Sequence, residues 1–331
     1  MDYEGIPIHR FHFWRALAES NLSLTASIRK EIVKLKHDFQ PDLIHINFSG
    51  YTAFFQLNTA TTGPAPTLVS LHLSLSGKQA GPDTILARLL RTADWVTADS
   101  QSTLSDARAV VPEIRSRSSL IYNCQEVPDI DPQPLPAMNP RIMCIGRLAA
   151  EKGFDLAVSA LGLLKKLFPK LSLTIVGDGP ERAPLENQVV RLGLQSAVEF
   201  TGIVAGRDVP RQLNRAMVVV IPSRCQDSFP LVAVEAAQMG RPIVAANAGG
   251  LREAVVHGET GLLVEMENSQ ALADAVAFLL ENPEVIEKMG RAARARALVA
   301  YDIERYIDAH ESVYRKIANA ATASGKGRMG E

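Results

Sequence analysis

No apolar run in the sequence reaches the ~18 residues that a helix needs to cross a bilayer, so no membrane span is expected. Cysteine is scarce. Cys124, Cys144 and Cys225 are odd in number, scattered, and fit no metal-ligand spacing. All three read as small buried hydrophobes in a reducing compartment, which makes the cytoplasm the expected location. Neither charge is in excess: 35 Lys and Arg face 36 Asp and Glu, for a net charge of -1. No global basic field therefore draws nucleic acid. One stretch, IRKEIVKLKH at 28–37, is locally basic and amphipathic. It reads as a solvated helix face, with weak peripheral contact to acidic lipid headgroups as the alternative. The opening MDYEGIPIHRFHFW lacks the charged-then-apolar layout of a secretory leader, and none is expected. No repeat of solenoid period is visible.

What is present is globular. Hydrophobic residues make up 47% and charged residues 21% of 331 positions, enough chain for two domains. Short runs rich in Val, Ile and Leu alternate with amphipathic stretches. Strands are predicted at 42–46, 66–70, 95–98 and 119–121, then at 142–146, 171–177, 198–201, 217–221 and 242–245. Helices are predicted at 155–167, 181–192, 231–239 and 269–280. Strand–helix alternation of this kind indicates α/β domains with parallel sheets covered on both faces. The segment VPDIDPQPLPAMNP at 127–140 holds five prolines and can continue neither helix nor sheet, because proline fixes φ and has no N–H to donate. It reads as a linker. The first domain then covers 1–133 and the second 134–300. A last helical pattern at 303–317 crosses back to complete the first, and 318–331 (ANAATASGKGRMGE) is expected to be a disordered tail.

Doubly wound sheets bind ligands at the carboxyl ends of their strands, so the loops there are where chemistry is sought. GRLAAEKG at 146–153 follows a strand and precedes a helix. Gly146 lets backbone approach a ligand closely, and Arg147 and Lys152 beside a helix start favour an anion such as a diphosphate. Two exposed cations flanking a turn are the plain alternative. PSRCQDSFPLVAVE at 222–235 places Asp227 in a strand-to-helix loop and Glu235 eight residues on, inside an apolar helix. Carboxylates there can accept hydrogen bonds from sugar or ribose hydroxyls. A buried Glu235 needs a partner, either a ribose or a local basic side chain. In AGGLRE at 248–253, Gly249, Gly250 and Leu251 are expected to expose consecutive N–H groups, a nest for phosphate oxygens, or else to form a simple turn. GDGP at 177–180 superficially matches a dinucleotide fingerprint, but Arg182 stands where its third glycine belongs, so the nicotinamide signal is weak, and Asp178 reads as a donor-binding residue or, plainly, as one that shapes the turn. In the first domain His72 follows a strand and could reach a cleft, whereas His45 reads as packed. Asp99, Ser100 and Asn123 also follow strands, as cleft residues or as caps.

Together these pieces resemble the family-four retaining glycosyltransferases of GT-B architecture, two Rossmann-like domains facing a cleft. GRLAAEKG, VGDGPER, FTGIV, PSRCQDSFPLVAVEA and GGLREAVVHGETGLLV occur in the family's order and cover nearly all of 142–264. The resemblance implies a hexosyltransferase-like enzyme moving a sugar from a nucleoside diphosphate sugar to a hydroxyl acceptor with retention. It implies that Arg147 and Lys152 hold the diphosphate and that Glu235 holds the ribose. Asp227 would contact the transferred sugar, and the Gly249–Gly250–Leu251 backbone phosphate or sugar. His72 resembles the histidine near the reacting sugar, and Asn123 the asparagine that closes the first domain. Two cations at the diphosphate leave no need for a metal, and no cofactor is expected. The sequence departs from the pattern twice. Asp227 replaces the usual Glu and is one methylene shorter. The chain also begins at what reads as the strand IPIHRF rather than with the family's opening strand, glycine-rich loop and helix, so the N-terminal domain is expected to be incomplete. An epimerase of the same fold, an inactive nucleotide-sugar binder and a nicotinamide-dependent dehydrogenase are the competing readings, the last disfavoured by the broken glycine pattern.

Overall fold

The computed structural model describes residues 2–47, 50–75, 81–136 and 138–323. By its internal contacts the chain divides into two compact units. One comprises Met1–Asp99, Leu104–Leu120 and Ala309–Glu331, and the other Ser100–Thr103 and Ile121–Asp308. Both are α/β with parallel sheets.

The chain opens with β1 (Asp2–Tyr3) and β2 (Ile6–Pro7), an antiparallel pair turned at Gly5 with φ +85°. The start read as a strand, IPIHRF, therefore contributes only these two exposed residues to a hairpin and joins no parallel sheet. Helices α1 (Phe13–Ala18) and α2 (Leu22–Phe39) follow, the second capped by the Asn21 side chain. On α2 the basic residues Arg29, Lys30, Lys34 and His37 are exposed, as a solvated face requires, but Lys36 is not. Its ammonium is buried and donates to Gln56 Oε1 at 3.0 Å and to the carbonyl and hydroxyl of Thr59 at 3.1 Å. Burial lowers its pKa.

The first sheet runs β3 (Ile44–Ile46), β4 (Thr67–Leu71), β5 (Trp95–Ala98) and β6 (Ser118–Leu120) in sequential parallel order. Its helices are α3 (Thr52–Thr59), α4 (Ile85–Thr92) and α5 (Gln101–Val110). Val69, Leu71, Val96 and Ala98 pack with Leu89, Leu90 and Leu104 as its core. His45 is packed: its ring bonds Ser70 Oγ at 2.7 Å and Tyr314 Oη at 2.8 Å, and burial pushes its pKa down to about 4.

The second unit is built on β7 (Arg141–Ile145), β8 (Ser172–Val176), β9 (Val198–Gly202), β10 (Val218–Ile221), β11 (Ile243–Ala246) and β12 (Gly261–Val264). All pair in parallel in the order β12-β11-β10-β7-β8-β9. Its helices are α6 (Phe154–Leu164), α7 (Arg182–Arg191), α8 (Val209–Leu213), α9 (Leu231–Gln238), α10 (Leu251–Ala254), α11 (Ser269–Glu281) and α12 (Pro283–Ala300). Alternation explains the two-sided cover. Ile142, Cys144, Val218 and Val220 face one cluster with α6 and α11, while Met143, Val219 and Ile221 face the other with α9 and α12. Each such side chain removed from water contributes about 1.5–3 kcal/mol.

The proline-rich segment lies within this unit. Wholly buried Arg241 donates to the carbonyls of Ala216 at 3.2 Å and Gln133 at 2.5 Å, and to Asn214 Oδ1 at 2.8 Å. Burial pushes its pKa down to about 10. The last helix, α13 (Ile303–Ala323), belongs to the first unit from Ala309 on. It extends six residues into the expected disordered tail. Those residues, ANAATA, are mostly alanine, the best helix former, and Ala321 is buried. The remainder, 324–331, lies outside the described residues. Among the described residues no helix is long and apolar enough to cross a membrane.

Candidate active site

The strand order of the second sheet fixes where to look. From β7 the chain winds outward through β8 and β9, then returns to place β10 on the other side of β7. The winding reverses between β7 and β10, and the crevice outside the carboxyl ends of two such strands is where doubly wound sheets take ligands. The loops that leave β7 and β10 are GRLAAEKG and PSRCQDS.

Glycine is what lets these loops lie so close. Gly153 has φ +67°, and a Cβ on it would stand 2.1 Å from the carbonyl oxygen of Pro222. The loop after β7 therefore sits directly on the loop after β10. A Cβ on Gly177 would stand 2.0 Å from the carbonyl oxygen of Gly146, which ties in the loop after β8 in the same way.

These contacts bring Lys152 and Asp227 together. Lys152 Nζ lies 3.0 Å from both carboxylate oxygens of Asp227. The Ser223 hydroxyl donates to Oδ2 at 2.8 Å, and the Cys225 thiol donates to Oδ1 at 3.3 Å. Cys225 is thus no buried filler as the sequence reading had it. It is half-exposed, and burial together with the neighbouring Asp227 charge pushes its pKa up to about 11. Cys144 fits the buried reading, and Cys124 is half-exposed. Arg147 is largely exposed and pairs with Glu151 one turn on.

Glu235 sits in α9, half-buried among Ala233, Val234, Ala236 and Ala237. Among the described residues its carboxylate has no hydrogen-bonding or ionic partner, contrary to the local basic side chain that burial alone would call for. Burial raises its pKa.

The expected nest at Gly249–Leu251 is closed. The Gly249 N–H donates to Gln226 Oε1 at 2.6 Å, that of Gly250 to the Asp227 carbonyl at 2.8 Å, and that of Leu251 to the Ala248 carbonyl at 3.0 Å. A Cβ on Gly249 would meet the Asp227 carbonyl oxygen at 2.4 Å and one on Gly250 the Ser228 carbonyl oxygen at 1.9 Å. The pair of glycines seats the loop that carries Asp227. Asp178 shapes its own turn, accepting from the Gly179 N–H at 2.7 Å and from Arg182 at 3.2 Å.

Asn123 is half-buried and follows Tyr122, whose ring lies 5.6 Å from that of Phe229, two residues beyond Asp227. His72 belongs to the first unit. It stands at the carboxyl end of β4, its Nδ1 3.5 Å from Asp99 and its Nε2 3.3 Å from Asn47 Oδ1.

Sequence reasoning passed over Ser223, Arg224 and Gln226. Arg224 holds Asp155 through two bonds of 2.6 and 2.7 Å and Glu267 through bonds of 2.7 and 2.9 Å, which pins the loop after β10 to the start of α6. The signal was present as the run SRCQDS at 223–228 directly after an apolar strand.

Residues 128–296 match the family described as Glycosyl transferases group 1. The chain belongs to that family. Residues 2–125 match Glycosyltransferase Family 4. The glycogen synthase of Mycobacterium tuberculosis is 28% identical over 312 residues, which are 90% of this chain and 74% of that protein. A GDP-mannose-dependent alpha-(1-6)-phosphatidylinositol monomannoside mannosyltransferase of the same organism is 35% identical over 161 residues, covering 47% of this chain and 42% of that one. Among solved structures, Anabaena HepE in complex with UDP and glucose matches with a TM-score of 0.77 at 25% identity, covering 93% of this chain and 86% of that one. The protein is a GT-B glycosyltransferase with two Rossmann-like domains.

Proposed function

We propose that this glycosyltransferase moves a hexosyl group from a nucleoside diphosphate sugar to a hydroxyl acceptor with retention of anomeric configuration. One observation carries the reading. At the switch point of the second sheet a cation, Lys152, is held in place, while on the same loop–helix segment as its partner Asp227 the Glu235 carboxylate has no partner among the described residues. A diphosphate matches the first group and ribose hydroxyls the second. The neighbour solved with UDP and glucose and the relative named as GDP-mannose-dependent support a uridine or guanosine donor.

Bond breaking puts negative charge on the leaving diphosphate. Lys152, and Arg147 once it turns from Glu151, stabilise that charge more in the transition state than in the ground state. Glu235 fixes the nucleoside by accepting from its hydroxyls. Asn123, which follows Tyr122 beside Phe229, is a further donor-binding residue of this reading. The acceptor attacks the face the diphosphate leaves, and the leaving phosphate takes the acceptor proton, so no protein nucleophile is assigned. Arg147 and Lys152 supply the charge that a divalent cation would otherwise bring.

The test is a thermal-shift screen of UDP-, GDP- and ADP-sugars followed by transfer assays, with the anomeric proton of the product read by NMR. Stabilisation by one nucleotide family and an α-product from an α-donor support the reading. Stabilisation by none of them, or an inverted product, overturns it.

A further inference from the structure

We infer that Asp227 is a positioning residue for Lys152 rather than a ligand of the transferred sugar. This rests on the donor reading above. An ionised carboxylate offers about four lone-pair sites, and here all are engaged. Oδ1 receives Lys152 Nζ at 3.0 Å and Cys225 Sγ at 3.3 Å, while Oδ2 receives Lys152 Nζ at 3.0 Å and Ser223 Oγ at 2.8 Å. The backbone of the residue is fixed too, since its carbonyl accepts from Gly250 N–H at 2.8 Å and lies where a Cβ on Gly249 would be. A sugar hydroxyl has no vacant acceptor to approach.

The ammonium is in the opposite condition. It carries three N–H bonds. Two oxygens of one carboxylate engage at most two of them, and the Lys152 side chain is 30% exposed. One donor remains for a phosphate oxygen. A flexible lysine held this way gives up less side-chain freedom when the donor arrives.

Binding constants distinguish the two roles. Calorimetry is run with UMP, UDP and UDP-glucose and with GMP, GDP and GDP-mannose, and the set that the wild-type chain binds is then applied to the variants. If Asp227 acts through Lys152, Asp227→Asn weakens the diphosphate and its sugar by the same factor, about tenfold, and leaves the monophosphate unchanged. The double variant Lys152→Met/Asp227→Asn then binds no more weakly than Lys152→Met alone, and Asp227→Glu restores most of the diphosphate affinity. A loss confined to the nucleotide sugar overturns the inference, as does additivity in the double variant or a parallel loss of monophosphate binding. Wild-type protein that binds none of the six, nor ADP or ADP-glucose, would instead sink the donor reading itself.

Discussion

Gly153 lies against Pro222: a Cβ on the glycine would stand 2.1 Å from the carbonyl oxygen of the proline. No side chain fits between them, and the glycine holds φ +67°, where an L-residue is strained by ~1–2 kcal/mol. The two loops that flank the switch point are joined at this contact.

Gly153→Ala must therefore push the loops apart. The expected cost exceeds ~2 kcal/mol, a fall in melting temperature of more than about 4 °C for a unit of this size. Donor-induced stabilisation should vanish with it. An alanine variant that melts with the wild type would show that the contact is dispensable.

Lys152→Ala should lower kcat/KM by roughly a hundredfold, the usual scale for one well-placed donor to developing charge. Arg147→Ala should cost less, about tenfold, because the guanidinium is 68% exposed and already shared with Glu151. Steady-state kinetics with the donor selected by thermal shift measure both, and a larger loss for Arg147 would reverse this ranking.

Glu235 gives a pH signature with two signs. Burial raises its pKa above the ordinary 4.5, so over the interval from there to the raised value the folded state holds the proton more tightly than the unfolded chain. Its contribution to stability falls as pH rises through that interval. Glu235→Gln removes the penalty and should melt higher than wild type at pH 7 and level with it below about pH 4. Donor affinity moves the other way, rising with pH in the wild type as the carboxylate ionises, and staying weak and flat in the glutamine variant. A glutamine variant that melts lower at pH 7 would contradict the assignment of Glu235 as an open, penalised carboxylate.

If Lys152 and a released Arg147 carry the diphosphate as proposed, transfer should persist in excess EDTA. Turnover that stops with chelator and returns with magnesium would require a metal.

In the second unit β7, β8, β10 and β11 were legible because they are short apolar runs buried on both faces, and the functional loops because glycine and charge follow those runs at once. Gly261–Val264 was not named as a strand, since it is embedded in a turn-rich motif and pairs with β11 only through tertiary contact. The expected nest failed for a similar reason. A Gly–Gly pair looks the same in sequence whether its amides face a ligand or, as here, Gln226 and the Asp227 carbonyl. The Cys225 contact is invisible in sequence because a thiol 3.3 Å from a carboxylate leaves no trace in residue spacing. Glu235 shows the converse: the apolar surroundings were readable, but the absence of a protein partner among the described residues could be seen only in three dimensions.

The reversal of winding beside β7 places the outer strands β9 and β12 farthest from the working loops. Gly193, in the turn between α7 and β9, has open space around it, with nothing within 4 Å of an added Cβ. A reporter domain spliced into that turn would sit on the rim and leave the crevice untouched. The second unit therefore offers an insertion point at which a fused domain can be carried without disturbing the loops around Lys152.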